Sequence, residues 1–391
     1  MLDLLFISRR SSHSAYYQKL VDNLNFESEL HVTGKPLFID FKALKRGLKF
    51  QTEEIVLNQI RRKEARHTKL FSLVIVKFIY FVSLSLLEKL RFMKYCHVIA
   101  QKKPKHVVVW NGDKLPNKTV VAASKALGVS VIYFENGLMP NTTTCDPKGV
   151  NAKNSIPRSK DFYLSLDFND LDKQHEQLIA RKPHKKRKSK APIEIKGDYI
   201  FVPFQVPNDT QIIVNSPWVG SMEAFFDVMT KAFSKARIDN MQLVFKEHPS
   251  WPKNFEHLIA DNKNVLFAND NDTELLILNA KAVVTINSTV GLESLLLGKK
   301  VITLGNACYN IPDLVLHAKD SDSLEEALAN VEDWQPDELL RSNFLNFLKF
   351  TYAIPTKWRD AEENHFKAIE NRIRNVDDFS KLKADYISQS T

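Results

Sequence analysis

The sequence predicts two open α/β domains in tandem that face a cleft. Apolar runs of strand length alternate with helical segments in both halves of the chain. Three of these runs end in polar clusters, at Glu135, at His248 and at Ser288. Because ligands of open α/β sheets bind at the carboxyl ends of the strands, we expect the three clusters to meet around one ligand. With 391 residues the chain also exceeds one typical core, which favours two domains.

The N-terminal half begins with a strand pattern, DLLFIS, followed by a polar helical stretch that ends at Leu24. Its first residues turn polar too early for a secretory signal. Farther along, HVVVWNG predicts a strand, NKTVVAASKALG a helix that stops at Gly128, and VSVIYFENG the next strand. A strand, a helix and a strand in this order indicate a parallel βαβ unit.

One apolar segment, LFSLVIVKFIYFVSLSLLEKL at residues 70–90, approaches the length of a membrane span. Lys77 lies inside it, and basic residues flank it on both sides. A core helix is the first interpretation. The second is a helix that lies on a membrane interface, with its apolar side towards the lipid and its cations on the headgroups. A true span is the least favoured of the three.

The alternation of strands and helices restarts after a basic stretch at residues 180–192, ARKPHKKRKSKAP, which predicts a solvated linker. DYIFVPF, MQLVFKEHP, NVLFA, AVVTINS and KVITLG are the predicted strands, and the charged tail has helical character. The predicted organisation is an N-terminal domain at 1–180, a linker at 181–197, a second domain at 198–350 and a helical tail at 351–391.

Composition and motifs limit the classes of ligand and cofactor that the chain is expected to bind. The net charge of +9 suggests an anionic partner. Three distant cysteines indicate a reducing compartment, and neither a dinucleotide fingerprint nor a P-loop is present. The eleven histidines form no metal-binding motif. A D-x-D at residues 270–272 could hold a metal, but Asp272 precedes a helical stretch and is expected to be its N-cap.

The turn TINSTVGLES is suited to an anion. Asn287, Ser288 and Thr289 stand between a predicted strand and a helix that begins near Val290. Free main-chain N–H groups at a helix start, together with two hydroxyls, can bind phosphate. The alternative is that Ser288 or Thr289 only caps the helix.

In KEHP, Pro249 ends a strand and leaves His248 directed towards the predicted cleft. A histidine beside a phosphate can donate a hydrogen bond to a leaving group as negative charge develops on it. Lys246 would add a positive charge nearby. A structural histidine is the alternative.

These motifs resemble those of the capsule-polysaccharide synthesis proteins, specifically the retaining β-Kdo transferases of capsule and O-antigen assembly. FENGLMPNTTTCDPKGVN, FVPFQVPNDTQI, KEHP and NSTVGLESLLLGKKVITLG carry the likeness, over about residues 105–305. The His-Pro and Ser-Thr pairs are also similar to the nucleotide site of CMP-sugar sialyltransferases. The resemblance implies a GT-B-like fold, with two Rossmann-type domains facing a cleft.

The resemblance also implies roles for two carboxylates. Glu135 would handle the proton of the acceptor hydroxyl as general base or acid. Asp209 would attack the anomeric carbon in a double displacement with net retention. From residue types alone, Asp209 could equally form a turn. The expected donor-site residues are Lys246, Pro249, Asn287, Ser288, Thr289, Glu293, Gln205 and Asn208, and the expected acceptor-site residues are Trp110, Asn111 and Asn136.

The expected function is therefore transfer of β-Kdo from CMP-Kdo to a saccharide acceptor, without a metal or another cofactor. A lipid-linked acceptor and a place on the inner face of the cytoplasmic membrane would suit the basic excess and the apolar segment. The alternatives are an inverting CMP-sugar transfer and a CDP-alcohol phosphotransfer of teichoic-acid type. A further alternative is a carbohydrate- or RNA-binding module; no nucleic-acid partner is expected for the transferase.

Overall fold

The computed structural model describes residues 2–34, 41–168, 191–238, 240–258 and 264–389. The chain forms two compact units, one comprising Met1–Pro157 with Leu348–Thr391 and the other Arg158–Phe347. Each unit contains a six-stranded sheet with helices. The prediction of two Rossmann-type α/β domains is thus confirmed. That the two domains face a cleft stays a prediction.

The strands of the described residues are short and mostly parallel. In chain order they are β1 (Leu4–Ser8), β2 (Ser28–Val32), β3 (His106–Trp110), β4 (Ser130–Asn136), β5 (Thr142–Asp146), β6 (Asp198–Pro203), β7 (Met241–Lys246), β8 (Val265–Phe267), β9 (Ala282–Thr285), β10 (Lys300–Thr303), β11 (Leu316–His317) and β12 (Ile354–Pro355).

The α-helices among these residues are α1 (Ser11–Asn23), α2 (Phe41–Lys49), α3 (Glu53–Arg66), α4 (Thr68–Phe71), α5 (Val74–Lys102), α6 (Asn117–Ala126), α7 (Lys160–Leu164), α8 (Thr210–Asn215), α9 (Met222–Ala236), α10 (Thr273–Asn279), α11 (Thr289–Leu296), α12 (Ser321–Ala329), α13 (Glu338–Asn346), α14 (Glu363–Ile373) and α15 (Asp378–Gln389).

The first sheet has the order β12-β5-β4-β3-β1-β2. Strands β1 to β4 pair in parallel, whereas β5 runs antiparallel to β4 and to β12. The second sheet, β11-β10-β9-β6-β7-β8, is parallel throughout. The carboxyl ends of β6, β7 and β9 therefore share one edge of the second sheet, where a ligand of an open α/β fold binds.

Alternating side chains of the central strands enter cores on both faces of each sheet. In β1, Leu5 and Ile7 pack on one side, and Leu4 and Phe6 on the other. In β6, Val202 belongs to one core and its neighbour Phe201 to the opposite one. Burial on both faces is why these strands read as continuous apolar runs instead of alternating ones.

The structure divides the chain differently from the predicted organisation. The boundary falls after Pro157, because α7 packs against α13: Asn343 Nδ2 donates to the carbonyls of Tyr163 and Leu166, at 2.9 Å each. The predicted boundary at residue 180 and most of the predicted linker lie outside the described residues. Residues 191–197 carry neither helix nor strand.

The C-terminal tail belongs to the first unit. Tyr16 of α1 and the buried His365 of α14 share a hydrogen bond of 2.7 Å. Arg372 donates to the carbonyl oxygens of Cys145 and Tyr352, at 2.9 Å each. These long-range contacts explain why the predicted helical tail folds onto the N-terminal sheet rather than extending into solvent.

The apolar segment at residues 70–90 divides between α4 and α5. The later part of α5 is a core helix, since Phe92, Met93 and Cys96 are buried. The earlier part exposes several large apolar side chains. Within the part of the chain that the structure describes, no helix is long and apolar enough to cross a membrane.

Candidate functional site

A cavity of about 420 Å³ opens at the carboxyl ends of β6 and β7, in the second unit. Of the predicted donor-site residues, Lys246, His248, Pro249 and Glu293 line it. The other five, all among the described residues, do not line it: Gln205, Asn208, Asn287, Ser288 and Thr289. The KEHP turn and the first turns of α11 thus line the same cavity.

Lys246 ends β7 inside the protein. Its side chain is only 9% exposed. Its Nζ donates to the carbonyl oxygens of Asn269 at 2.7 Å and Asn271 at 2.6 Å, in the loop that follows β8. The ammonium therefore holds this loop against the end of β7, and Lys246 is also one of the residues that line the cavity.

His248 presents a defined hydrogen-bond donor. Its Nδ1 accepts a hydrogen bond from the main-chain N–H of Ser250 at 3.2 Å, and the Ser250 hydroxyl lies 2.8 Å from the same atom. A main-chain N–H can only donate, so the neutral imidazole carries its proton on Nε2. The donation from His248 to a leaving group stays a prediction.

The turn after β9 is held by buried amides. Asn287 is 1% exposed, and its Oδ1 accepts from Gln205 Nε2 at 3.0 Å. Its Nδ2 donates to the carbonyl oxygens of Gln211 and Asn215, at 3.0 Å each. The side chains of Gln205 and Asn287 are thus engaged with each other and with α8. Their geometry supports positioning of this turn; the predicted contact with a donor sugar stays a prediction.

Ser288 is the N-cap of α11, with its hydroxyl accepting from the main-chain N–H of Val290 at 3.1 Å. The capping alternative for Ser288 is confirmed. The neighbouring Thr289 is exposed. Gly291 fits because a Cβ atom there would lie 2.3 Å from the hydroxyl of Tyr309, which donates to the Ser288 carbonyl oxygen. The phosphate contacts of Ser288 and Thr289 stay predictions.

Asp209 is the N-cap of α8. Its Oδ1 accepts from the main-chain N–H of Gln211 at 3.1 Å, and the side chain is half-buried. This is the turn geometry that the residue types alone allowed. Gln211 in turn donates through Nε2 to the carbonyl oxygen of Asn287 at 3.2 Å. Asp209 is therefore connected to the turn after β9, and its nucleophilic role stays a prediction.

In the first unit, Glu135 at the end of β4 is held by three N–H donors. Its Oε2 accepts from Asn111 Nδ2 at 2.7 Å, and its Oε1 from both the main-chain N–H and Nδ2 of Asn136, at 3.0 Å each. Asn111 adopts a left-handed backbone conformation, with φ of 66°. Asparagine tolerates this conformation better than most residues. Glu135, Asn111 and Asn136 thus lie together at the carboxyl ends of β3 and β4, and their roles at an acceptor site stay predictions.

Trp110, an expected acceptor-site residue, belongs to the core of the first unit. It is 7% exposed and stacks on His13, with ring centroids 4.3 Å apart. Trp358, which the sequence analysis did not select, packs edge-on against Trp110 and donates from Nε1 to Asn136 Oδ1 at 3.0 Å. Burial lowers the pKa of His13 to about 4, assisted by the charges of Arg10 and Arg359.

Carboxylates also line the cavity of the second unit. Glu247 is 2% exposed and accepts from the main-chain N–H of Phe255. Asp270 and Glu274 lie on the wall as well. Asp272 caps α10 by accepting from the Leu275 N–H at 3.0 Å, which confirms the predicted cap. Among the described residues, His, Cys, Asp and Glu form no group that could hold a metal ion.

The second unit corresponds to a known family model, described as a capsule polysaccharide biosynthesis protein, which matches residues 170–352. Protein FixF of Sinorhizobium fredii (strain NBRC 101917 / NGR234) is 43% identical over 248 residues, 63% of this chain and 60% of FixF. The capsule polysaccharide export protein KpsS of Escherichia coli is 26% identical over 300 residues, 61% of this chain and 75% of KpsS. The chain therefore spans less than two thirds of FixF.

Among solved structures, the β-Kdo 2,7 transferase of Thermosulfurimonas dismutans KpsC matches with a TM-score of 0.47 and 14% sequence identity. The match covers 88% of this chain and 98% of that chain. The range of the family match includes the motifs near residues 205, 246 and 288. Residues 170–352 are therefore similar to the capsule polysaccharide biosynthesis proteins, the group that the motifs of the chain resemble.

Proposed function

We propose that the chain is a glycosyltransferase that moves β-Kdo from CMP-Kdo to a saccharide acceptor in capsule or O-antigen synthesis. One observation carries the proposal: His248 and Lys246 both line one cavity at the carboxyl ends of parallel strands. The match of the second unit to the capsule biosynthesis family supports it.

The cavity suits a nucleoside monophosphate as leaving group. Negative charge develops on the CMP phosphate as its bond to the anomeric carbon breaks, and His248 and Lys246 would offset that charge. The start of α11, with its oriented N–H groups, adds to this field. Glu293 and Asp270 can accept hydrogen bonds from ribose hydroxyls and from the cytosine amino group, because ionised carboxylates are acceptors.

The proposed transfer retains configuration through two displacements. The Asp209 carboxylate attacks the anomeric carbon, and the bonding electrons leave with the CMP phosphate oxygen. The acceptor hydroxyl then attacks the same carbon, Glu135 takes its proton, and the Asp209 carboxylate leaves. The three N–H donors around Glu135 would orient its carboxylate for this proton transfer.

We expect no metal requirement, because a monophosphate carries less charge than the diphosphate of other sugar donors. The lipid-linked acceptor and the place at the inner face of the cytoplasmic membrane also belong to the proposal. They rest on the basic excess of the chain and on the exposed apolar side chains of α5.

Inverting transfer is the second candidate, and the cap at Asp209 favours it. A carboxylate that accepts from the Gln211 N–H already has a structural role in starting α8. In an inverting reaction Glu135 would remove the acceptor proton as the acceptor displaces CMP in one step. Asp209 would then position α8 only.

Intact-protein mass spectrometry after incubation with CMP-Kdo and no acceptor separates the candidates. Asp209→Asn is compared with Asp337→Asn, a matched control, since Asp337 caps α13 by the same kind of bond, from the Leu340 N–H at 3.0 Å. The double displacement predicts one added Kdo unit in the wild type and in Asp337→Asn, and none in Asp209→Asn.

Other results point elsewhere. Acceptor-dependent CMP release without an adduct, and with an inverted product, would support the one-step reaction. If no CMP is released with any saccharide acceptor, the transferase proposal fails. Release of CMP from a CDP-alcohol would instead support a phosphotransferase.

A further inference from the structure

The first four turns of α5 expose a continuous row of large apolar side chains. They lie at helical spacings of one, four, five, eight and twelve residues, so they share one face of the helix. Each is between 50% and 79% exposed. We name this set the α5 apolar face: Val74, Ile75, Phe78, Ile79, Val82 and Leu86.

The α5 apolar face continues onto the preceding turn and is held rigidly. Leu70 and Leu73 are each about half exposed. Phe71, between them, is buried and packs edge-on against Tyr80 of α5, with ring centroids 5.3 Å apart. Lys77 of α5 forms an ion pair with Glu64 of α3. The exposed side chains therefore stand on a fixed helical corner of the first unit.

Exposed cations flank both ends of this face. Helix α2 packs on α5 through its small residues; a Cβ atom at Gly47 would lie 2.3 Å from Met93 Cγ. Its Leu48 carbonyl oxygen accepts from Lys89 Nζ at 3.4 Å, one turn beyond Leu86. The exposed cations on α2 and at the α3–α4 corner are Lys42, Lys45, Arg46, Lys49, Arg66 and Lys69.

Residues 41–90 carry a strong excess of positive charge. Residues 41–90 contain eleven lysines or arginines and four glutamates, in a chain whose total net charge is +9. A second copy of the chain on this face would bring like charges together, which opposes association. A bilayer with anionic headgroups suits both the apolar row and the positive charge. Its acyl chains would bury the apolar side chains, and its phosphates would pair with the cations.

We infer that the α5 apolar face, with the basic side of α2, binds the surface of a bilayer that contains anionic phospholipid. Helix α5 lies along the interface and does not cross it, in keeping with the absence of a spanning helix among the described residues. This binding rests on the membrane placement proposed above and names its residues and its lipid, but it does not depend on the identity of the sugar donor.

Flotation of the full chain with phosphatidylcholine vesicles, with and without phosphatidylglycerol, tests the inference. Binding should require phosphatidylglycerol and weaken as salt is added. Phe78→Ser with Ile79→Ser should weaken it at least about tenfold, since two large side chains lose their burial in lipid. The matched control is Leu275→Ser with Leu278→Ser, on α10 of the second unit, where both leucines are also exposed.

The cations are tested separately. Changing Lys45, Arg46 and Lys49 to glutamine should weaken binding about fivefold per charge. The control changes the exposed Lys231, Lys235 and Lys281 to glutamine, which lowers the net charge equally in the second unit.

An environment-sensitive dye on a single introduced cysteine reports insertion directly. The three native cysteines are buried, so Ile79→Cys can be labelled selectively. Its emission should shift to the blue with anionic vesicles, whereas that of Leu339→Cys, an exposed site on α13, should not.

Three outcomes would overturn the inference. One is equal binding by wild type and by Phe78→Ser with Ile79→Ser. Another is no binding to anionic vesicles by a folded wild type. The third is a dimer in sedimentation velocity that the same double variant dissolves, with no dye shift on vesicles, because the face would then bind a second copy of the chain.

Discussion

Replacing His248 by alanine removes the donor that the proposed transfer needs. The Ser250 N–H donates to Nδ1, so the neutral ring carries on Nε2 the proton that the proposal assigns to a developing phosphate charge. Removing one preorganised donor of this kind raises the barrier by about 2.7–4 kcal/mol, which corresponds to about 10²–10³ in kcat. The ring is half-buried at the cavity wall, so we expect the variant to fold.

The assay is acceptor-dependent CMP release at saturating CMP-Kdo. A donor that acts on the transition state lowers kcat and leaves KM nearly unchanged. Ser250→Ala is the matched control: it keeps the main-chain N–H on Nδ1 and loses one hydroxyl contact, so kcat should fall by no more than about fivefold. A rise in KM at constant kcat, or no effect of His248→Ala, would refute the assignment.

Three further predictions concern the scaffold. Asn287→Ala leaves Gln205 and buried carbonyl groups without partners, so the free energy of unfolding in urea should fall by about 2–4 kcal/mol; an unchanged denaturation midpoint would contradict the buried network. Gly291→Ala should lower Tm because the added methyl meets the Tyr309 hydroxyl, and Tyr309→Phe in the same chain should recover part of the loss; no recovery would locate the strain elsewhere. The folded-state pKa of His13, about 4, lies below its unfolded value near 6.5. Acid therefore favours the unfolded state: stability should be full above pH 6.5 and fall as pH drops towards 4. Because the ring is half-buried, His13→Gln should reduce this fall by only about 1 kcal/mol, measured as unfolding free energy against pH.

The polar end of β7 shows what local patterns can predict. Three apolar residues followed by Lys246 and a proline two positions beyond Glu247 indicate where a strand stops. Because parallel strands end at one edge of their sheet, the same pattern also placed His248 at a ligand-binding edge, where the cavity is found. Strand ends depend on residues that are close in sequence, so they can be predicted from the sequence.

The partners of polar side chains are less accessible to such reasoning. Asn287 has the residue type and position of a ligand contact, yet it bonds to Gln205, which is 82 residues away in the chain. Trp110 has the chemistry of a sugar platform, yet it stacks on His13 in the core. A motif shows which donors, acceptors and rings the side chains carry. Only the folded chain determines which neighbours these groups contact.

The sequence alone determined the two α/β domains, the strand ends and the helix starts at Ser288 and Asp272, because periodicity, proline and capping side chains act within a few residues. The tertiary structure decided that the tail completes the first unit and that carboxylates line the cavity. It also decided that the first turns of α5 remain exposed while its later turns are buried. These features depend on contacts between segments that are distant in sequence. A local sequence pattern does not reveal the free energy of such contacts.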